Sequence, residues 1–362
     1  MLVTILLFIF ILAIVVIGHE FGHFIVAKWN GVKVEEFGFG LPPKIWGFKP
    51  KGSETEYNIN SLPIGGYVKL LGEEGDNRDN PRSFASKKPW QRIAILSAGV
   101  TMNFIIAIIA FTIIGMLGSQ VAITDSDIGS GKYTNVSTMI TSVSDNSPAK
   151  EADLRMGDEI QSIAGKKVVT ESEVSKLIES NVGKSIEIEV KRGNNVLTKK
   201  ITPRENPPEG QGATGIVIQL TGLQKLSLLD SIKLAFVRIY VIISTTLYVL
   251  GQMISSLFTG AKLPPEAEVT GPVGLVQVVG DVRDLGIGYI ITFIGLISTS
   301  LGFFNLLPIP ALDGGRILFV IIEWIKKSPV NQKLENQIHL IGYSILMILI
   351  LAVTVKDIIK LF

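Results

Sequence analysis

The chain has 362 residues, 47% of them hydrophobic and 18% charged, with a formal net charge of +2; it is more apolar than an average soluble domain and points first to a membrane protein. The near-neutral balance, with no basic run interleaved with aromatics, excludes a nucleic-acid footprint. It contains no cysteine, which excludes a disulfide framework, a thiolate metal site and a cysteine nucleophile, so any metal must be held by nitrogen and oxygen.

The first predicted element is an apolar helix over residues 2–27. At ~1.5 Å per residue it is long enough for a ~30 Å hydrocarbon core, and it lacks a basic n-region and a small-residue cleavage site. It reads as a retained transmembrane helix, not as a removed signal peptide. Residues 92–117, 287–309 and 339–358 are apolar enough to span as well, which gives four spans. The stretch 231–258 is different: it contains Lys233, and Ser231, Arg238, Thr245 and Gln252 recur at every seventh position. These polar residues fall on one helix face, the pattern of a helix lying in the interface.

Residues 28–91, between the first two spans, are rich in Lys and Arg, whereas the short segment before the first span has neither. The positive-inside rule therefore places this loop in the cytoplasm and the N-terminus outside. From Val34 to Leu71 apolar and polar residues alternate, punctuated by glycine and proline in FGFGLPPKIWGF and YNINSLPIGGYVKLL. That stretch reads either as an ordinary loop or as a hairpin-like sheet folding back toward the membrane. Residues 120–203 are polar and predict a small α/β domain on the outer side. Its elements are a strand at 139–143, a short helix in SPAKEADL, a strand and turn in GDEIQSIAG, a helix from the Thr170/Glu173 capping box to about Ser180, and two strands around the RGNN turn of SIEIEVKRGNNVLTKKI. The string PRENPPEGQG then opens a linker segment, 204–286, which also holds the amphipathic helix.

The chemistry is concentrated in GHEFGH, Gly18 to His23. Two histidines four apart project from one face of a helix and can bind one Zn²⁺, and the glutamate beside the first is placed to act as a base. The motif lies toward the end of an apolar span, where ionisable residues are expensive and usually functional. The alternative, that these three groups only hydrogen-bond neighbouring helices, is costly where apolar residues would serve. Zinc needs a third protein ligand. His339 stands alone at the start of the last span and needs no ligand role, which leaves a carboxylate. Asp313 is distinctive in NLLPIPALDGGRI, where Pro308 and Pro310 interrupt the helix and Gly314–Gly315 allow close backbone approach; its alternative role is a helix-capping or turn aspartate. For Asp313 to meet the histidines, residues 287–309 must descend to the cytoplasmic side, so 231–258 makes no single full crossing. Arg316, Lys326, Lys327 and Lys333 fit that placement.

Taken together, HEFGH, EFGFGLPPKIW, SLPIGGYVK, SAGVTMNF, TGPVGLVQ and NLLPIPALDGGR, in this order over nearly the whole chain, resemble the bacterial, RseP- and RasP-like branch of the site-2 protease family. The resemblance implies a polytopic α-helical membrane protein of four transmembrane helices with a membrane-reentrant β-structure and an inserted extracytoplasmic PDZ domain, divided as 1–118, 120–203, 204–286 and 287–362. It implies a zinc intramembrane endopeptidase in the bacterial cytoplasmic membrane, with His19, His23 and Asp313 as ligands and Glu20 as the catalytic base. Its partners are then single-pass membrane substrates, such as truncated anti-sigma factors or signal-peptide remnants. The resemblance also implies that Asn305 helps hold the substrate, or the polar core around it, and assigns substrate binding to the region of Gly38, Gly40, Gly65, Gly66 and Tyr67, which receives the substrate as an added strand. It leaves Asn103 as a polar residue that hydrogen-bonds helices together. The best-known relatives carry two tandem PDZ domains where this chain has room for one. They commonly have proline where SAGVTMNF has valine.

Two rival readings are a membrane transporter and a membrane-anchored PDZ scaffold with an inactive HExxH. The first predicts inverted repeats, which the sequence lacks; the second predicts that Glu20 is dispensable.

Overall fold

The protein is described here by a computed structural model covering residues 1–260 and 270–359; residues 261–269 of the expected linker and 360–362 at the end of the expected C-terminal segment lie outside the described residues. The chain forms two units, one of Met1–Phe111, Ala235–Gly280 and Thr292–Phe362, the other of Thr112–Leu234 and Asp281–Ile291.

In the first unit, α1 (Leu2–Trp29) is apolar along almost its whole length, yet it buries Ile11, Val15, His19, His23 and Ala27. A spacing of four keeps these residues on one slowly drifting stripe, so the two histidines occupy the inward line begun by Ile11 and Val15. The helix α2 (Pro89–Leu117) supplies Ile95, Leu96, Gly99 and Asn103. The remaining long helices are α5 (Leu228–Thr259), α7 (Ile287–Leu306) and α9 (Gln332–Ile359). With α1 and α2 they make five described helices long and apolar enough to cross a membrane, one more than the four spans read from the sequence. The additional one, α5, is the least buried of the longer central helices and carries the polar stripe noted above.

Between α1 and α2 the chain forms an antiparallel sheet from β1 (Val34–Phe48) and β2 (Glu56–Leu70). Each strand folds back on itself. Phe37 pairs with both Val68 and Tyr57, and Tyr57 pairs in turn with Phe48. The order across the sheet is therefore 66–70, 34–39, 56–60, 44–48, with Gly66 to Leu70 at an edge. Phe24 of α1 meets Phe37 edge-on at 5.4 Å, and Phe37 meets Tyr57 at 6.0 Å, which ties the sheet to the helix. Ala27, Val34, Leu70, Phe84, Ile95, Leu96 and Val320 form one buried cluster. It joins the end of α1, the start of β1, the end of β2, α2 and α8 (Asp313–Lys326), which are the elements that carry the site.

The second unit is built on a sheet in the order β3 (Ser119–Ala122), β9 (Ile216–Gln224), β4 (Thr134–Val143), β5 (Glu159–Ile163), β7 (Ile186–Arg192) and β8 (Asn195–Ile201), with β6 (Lys166–Lys167) beside β5. The short α3 (Pro148–Glu151) and α4 (Glu171–Glu179) lie where the sequence predicts helices, and Thr170 and Glu173 make the expected reciprocal cap. Ile140, Leu154, Ile160, Ile163, Val174 and Ile188 fill the core. The fully buried Asp158 accepts from Arg192 Nε at 2.7 Å and Nη2 at 2.8 Å, a forked geometry that satisfies both charges. β9 lies beyond residue 203, in the expected linker, and pairs with both β3 and β4. The end of α6 (Pro272–Leu285) also belongs to this unit, with Asp281 3.2 Å from Arg155.

Candidate metal centre

His19 and His23, one helical turn apart on the buried stripe of α1, bring their Nε2 atoms to 3.2 Å. The third group comes from the far end of the chain. After α7, Pro308 and Pro310 prevent helix continuation, Ala311 takes a left-handed conformation with φ of 79°, and α8 opens on Asp313. Asp313 Oδ2 then lies 3.0 Å from His19 Nε2 and 3.4 Å from His23 Nε2. Burial works against the Asp313 charge, but the two imidazoles within hydrogen-bonding reach hold its carboxyl below the usual carboxylate range.

Three tests of fit to zinc agree. Tetrahedral zinc with ligands at ~2.0–2.1 Å has ligand–ligand edges of about 3.3 Å, and the three observed separations fall between 3.0 and 3.4 Å. Asp313 Oδ2 is buried and faces the two imidazole nitrogens with no other partner among the described residues, as a ligand atom would. Lastly, Gly99 faces the cluster: a Cβ there would stand 2.4 Å from His23 Nε2 and 2.7 Å from His19 Nε2, in the space an ion would need. Among the described residues these three are the group of His, Asp and Glu side chains that converge closely enough to hold a metal.

Two cavities, of about 200 Å³ and about 240 Å³, meet at the cluster and share His19, Glu20, Gly66, Ala311 and Asp313 in their walls. Glu20 thus faces both sides of the centre. The smaller cavity is also lined by Tyr67, Val68, Leu70, Glu73 and Arg316, the larger by Gly65, Leu301 and Asn305. The edge segment of the β-sheet runs beside the histidines because Gly66 permits it: a Cβ there would lie 2.9 Å from Glu20 Cγ and 2.9 Å from Val16 Cγ1. Of the residues expected to meet substrate, Asn305, Gly65, Gly66 and Tyr67 line these cavities, and Asn305 Nδ2 lies 3.5 Å from His19 Nε2. Gly38 and Gly40 line neither. Gly38 lies beneath the Tyr67 ring, whose hydroxyl donates to Glu36 at 3.0 Å, and Gly40 allows the fold-back of β1.

Other residues join the site without a signal in the sequence that marks them. His339 takes no part in the metal cluster, but its Nδ1 accepts the Ala311 N–H at 2.9 Å and so holds the left-handed turn two residues before Asp313. Arg316, noted in the sequence only as a cytoplasmic charge, pairs with Glu73, which also accepts the Leu70 N–H at 3.2 Å. The helix bearing Asp313 is thereby tethered to the end of the edge strand.

The model of peptidase family M50 matches residues 7–349. A protein of Clostridium perfringens, provisionally named a zinc metalloprotease, is 39% identical over 345 residues, covering 95% of each chain. The regulator of sigma-W protease RasP of Bacillus subtilis is 28% identical over 439 residues, covering 99% of each. The zinc metalloprotease RasP of Geobacillus kaustophilus is 28% identical over 437 residues, covering 99% of this chain and 98% of that one. Among solved structures, the PDZ domain of an SdrC-like protein of Listeria monocytogenes is matched at 28% identity and a TM-score of 0.22, over 24% of this chain and 92% of that one.

Proposed function

The chain belongs to peptidase family M50, and from that premise we propose that this multi-pass zinc metalloprotease hydrolyses peptide bonds in the membrane segments of single-pass proteins. The observation that carries the reading is the convergence of His19, His23 and Asp313 beside Glu20, where two cavities meet at a sheet edge. His19, His23 and Asp313 would hold the zinc, which when bound would lower the pKa of water toward ~7 and polarise a scissile carbonyl. Glu20 takes the proton from the attacking water and delivers it to the leaving amide nitrogen. A helical substrate hides its carbonyls in its own hydrogen bonds and must unwind before attack. The edge segment Gly66–Leu70, which pairs only with residues 34–39 among the described residues, offers backbone groups to the freed strand and offsets the bonds lost. Asn305 lines the larger cavity and is placed to hold the extended chain.

Substrates of the anti-sigma type agree with the name of the B. subtilis relative, a regulator of sigma-W protease; signal-peptide remnants are the second substrate class in this proposal. The protein sits in the bacterial cytoplasmic membrane with its soluble domain, of PDZ type, outside. The chain leaves the soluble unit at Leu234 and re-enters it at Asp281. A segment that starts and ends in one soluble unit makes no net crossing, which supports α5 as interfacial or re-entrant and α1, α2, α7 and α9 as the four spans. The proposal is tested by reconstituting the purified protein in liposomes with a single-pass substrate and mapping the cut by mass spectrometry. A zinc-dependent cut inside the membrane segment is expected; cuts confined to exposed loops would refute it.

A further inference from the structure

We propose that Asn103 is a positioning residue of the metal centre, its carboxamide oxygen accepting the Nδ1 hydrogen of His19 and so committing Nε2 to the metal. The inference rests on the zinc reading above. The Nε2 atoms of both histidines point at Asp313, and a neutral imidazole that gives Nε2 to a metal carries its one ring hydrogen on Nδ1. Metal-bound histidines almost always donate that hydrogen to an acceptor. For His23 the acceptor is plain: Nδ1 lies 2.8 Å from the Ile95 carbonyl oxygen. For His19 the group at Nδ1 is the Asn103 carboxamide, with Nδ2 at 3.1 Å.

That amide is fully buried, and its Oδ1 has no hydrogen-bond partner. The arrangement suits a histidine whose Nδ1 is bare. Once Nδ1 carries its hydrogen, the amide N–H faces another donor, and a half-turn of the carboxamide brings the oxygen to the same position at little steric cost. Ile95 and Asn103 both belong to α2. One helix therefore orients both rings and, through Gly99 between them, leaves the space for the ion. A residue that only linked helices would tolerate either direction of hydrogen bond; a residue that sets the tautomer must accept.

The test compares Asn103→Leu and Asn103→Asp in the purified full-length protein. Zinc affinity is measured by chelator competition, alongside melting temperatures of the metal-free forms and the absorption spectrum of the cobalt-substituted forms. Loss of the acceptor in Asn103→Leu should weaken zinc binding by ~10–100-fold, beyond any change in metal-free melting. Asn103→Asp keeps an acceptor and discards the donor, and should retain wild-type affinity or better with a tetrahedral cobalt spectrum. If Asn103→Leu binds zinc like wild type, or if Asn103→Asp loses it to the same degree as Asn103→Leu, the positioning role is wrong while the zinc site stands. A wild-type protein that binds no stoichiometric zinc would overturn the metal reading, and this role with it.

Discussion

Gly99 carries no chemistry, yet the metal site depends on what it lacks. A methyl group there would stand 2.4 Å from one ligand nitrogen and 2.7 Å from the other, and the facing atoms are the two imidazoles themselves, which cannot yield without leaving the ligand geometry. Gly99→Ala should therefore reduce bound zinc at least tenfold; metal analysis showing full zinc in the variant would refute the placement. The residues of this site differ in how far the sequence announces them. His19, Glu20 and His23 are legible because their geometry is local, a four-residue spacing on one helix. Asp313, 290 residues downstream of His23 in chain order, is marked only by elimination of other ligand types and by topology. Gly99, Asn103, His339 and Arg316 act only through close approach of segments far apart in sequence, and nothing in their own neighbourhoods distinguishes them from packing residues.

Among the elements, the segment Gly66–Leu70 makes the most specific claim. It is an edge of the sheet, it lines the cavity beside His19, and its outer backbone groups have no strand partner among the described residues. Proline removes the N–H that a ladder requires. Val68→Pro should depress cleavage of an intact helical substrate with zinc content unchanged, and Val68→Ala should be mild. Normal cleavage by a folded, zinc-loaded Val68→Pro protein would exclude the edge-strand role. The alternation in YVKLL made extended structure legible here, but not the double fold-back that turns two strands into four rows, because that register is set by pairings across the whole sheet. In the soluble unit the same limit hid β9: its own alternation is fair, but the linker PRENPPEGQG separates it from the strands it joins.

For the whole molecule, the topology proposed above puts the soluble unit and the basic loop 28–91 on opposite sides of the membrane. Since the chain has no cysteine, single cysteines report position cleanly. On intact cells a membrane-impermeant thiol reagent should label Asn194→Cys and spare Lys51→Cys, both of which replace exposed residues; the reverse pattern would overturn the topology.

The ligand set and the base are tested together by measuring zinc stoichiometry and cleavage of a transmembrane substrate in Glu20→Gln and Asp313→Ala. The amide of Glu20→Gln cannot accept a proton, so that variant should keep one zinc per chain and lose cleavage. Asp313→Ala leaves two ligands where zinc needs three, so it should lose both. Full zinc in Asp313→Ala, or near wild-type cleavage by Glu20→Gln, would contradict the assignment of this centre.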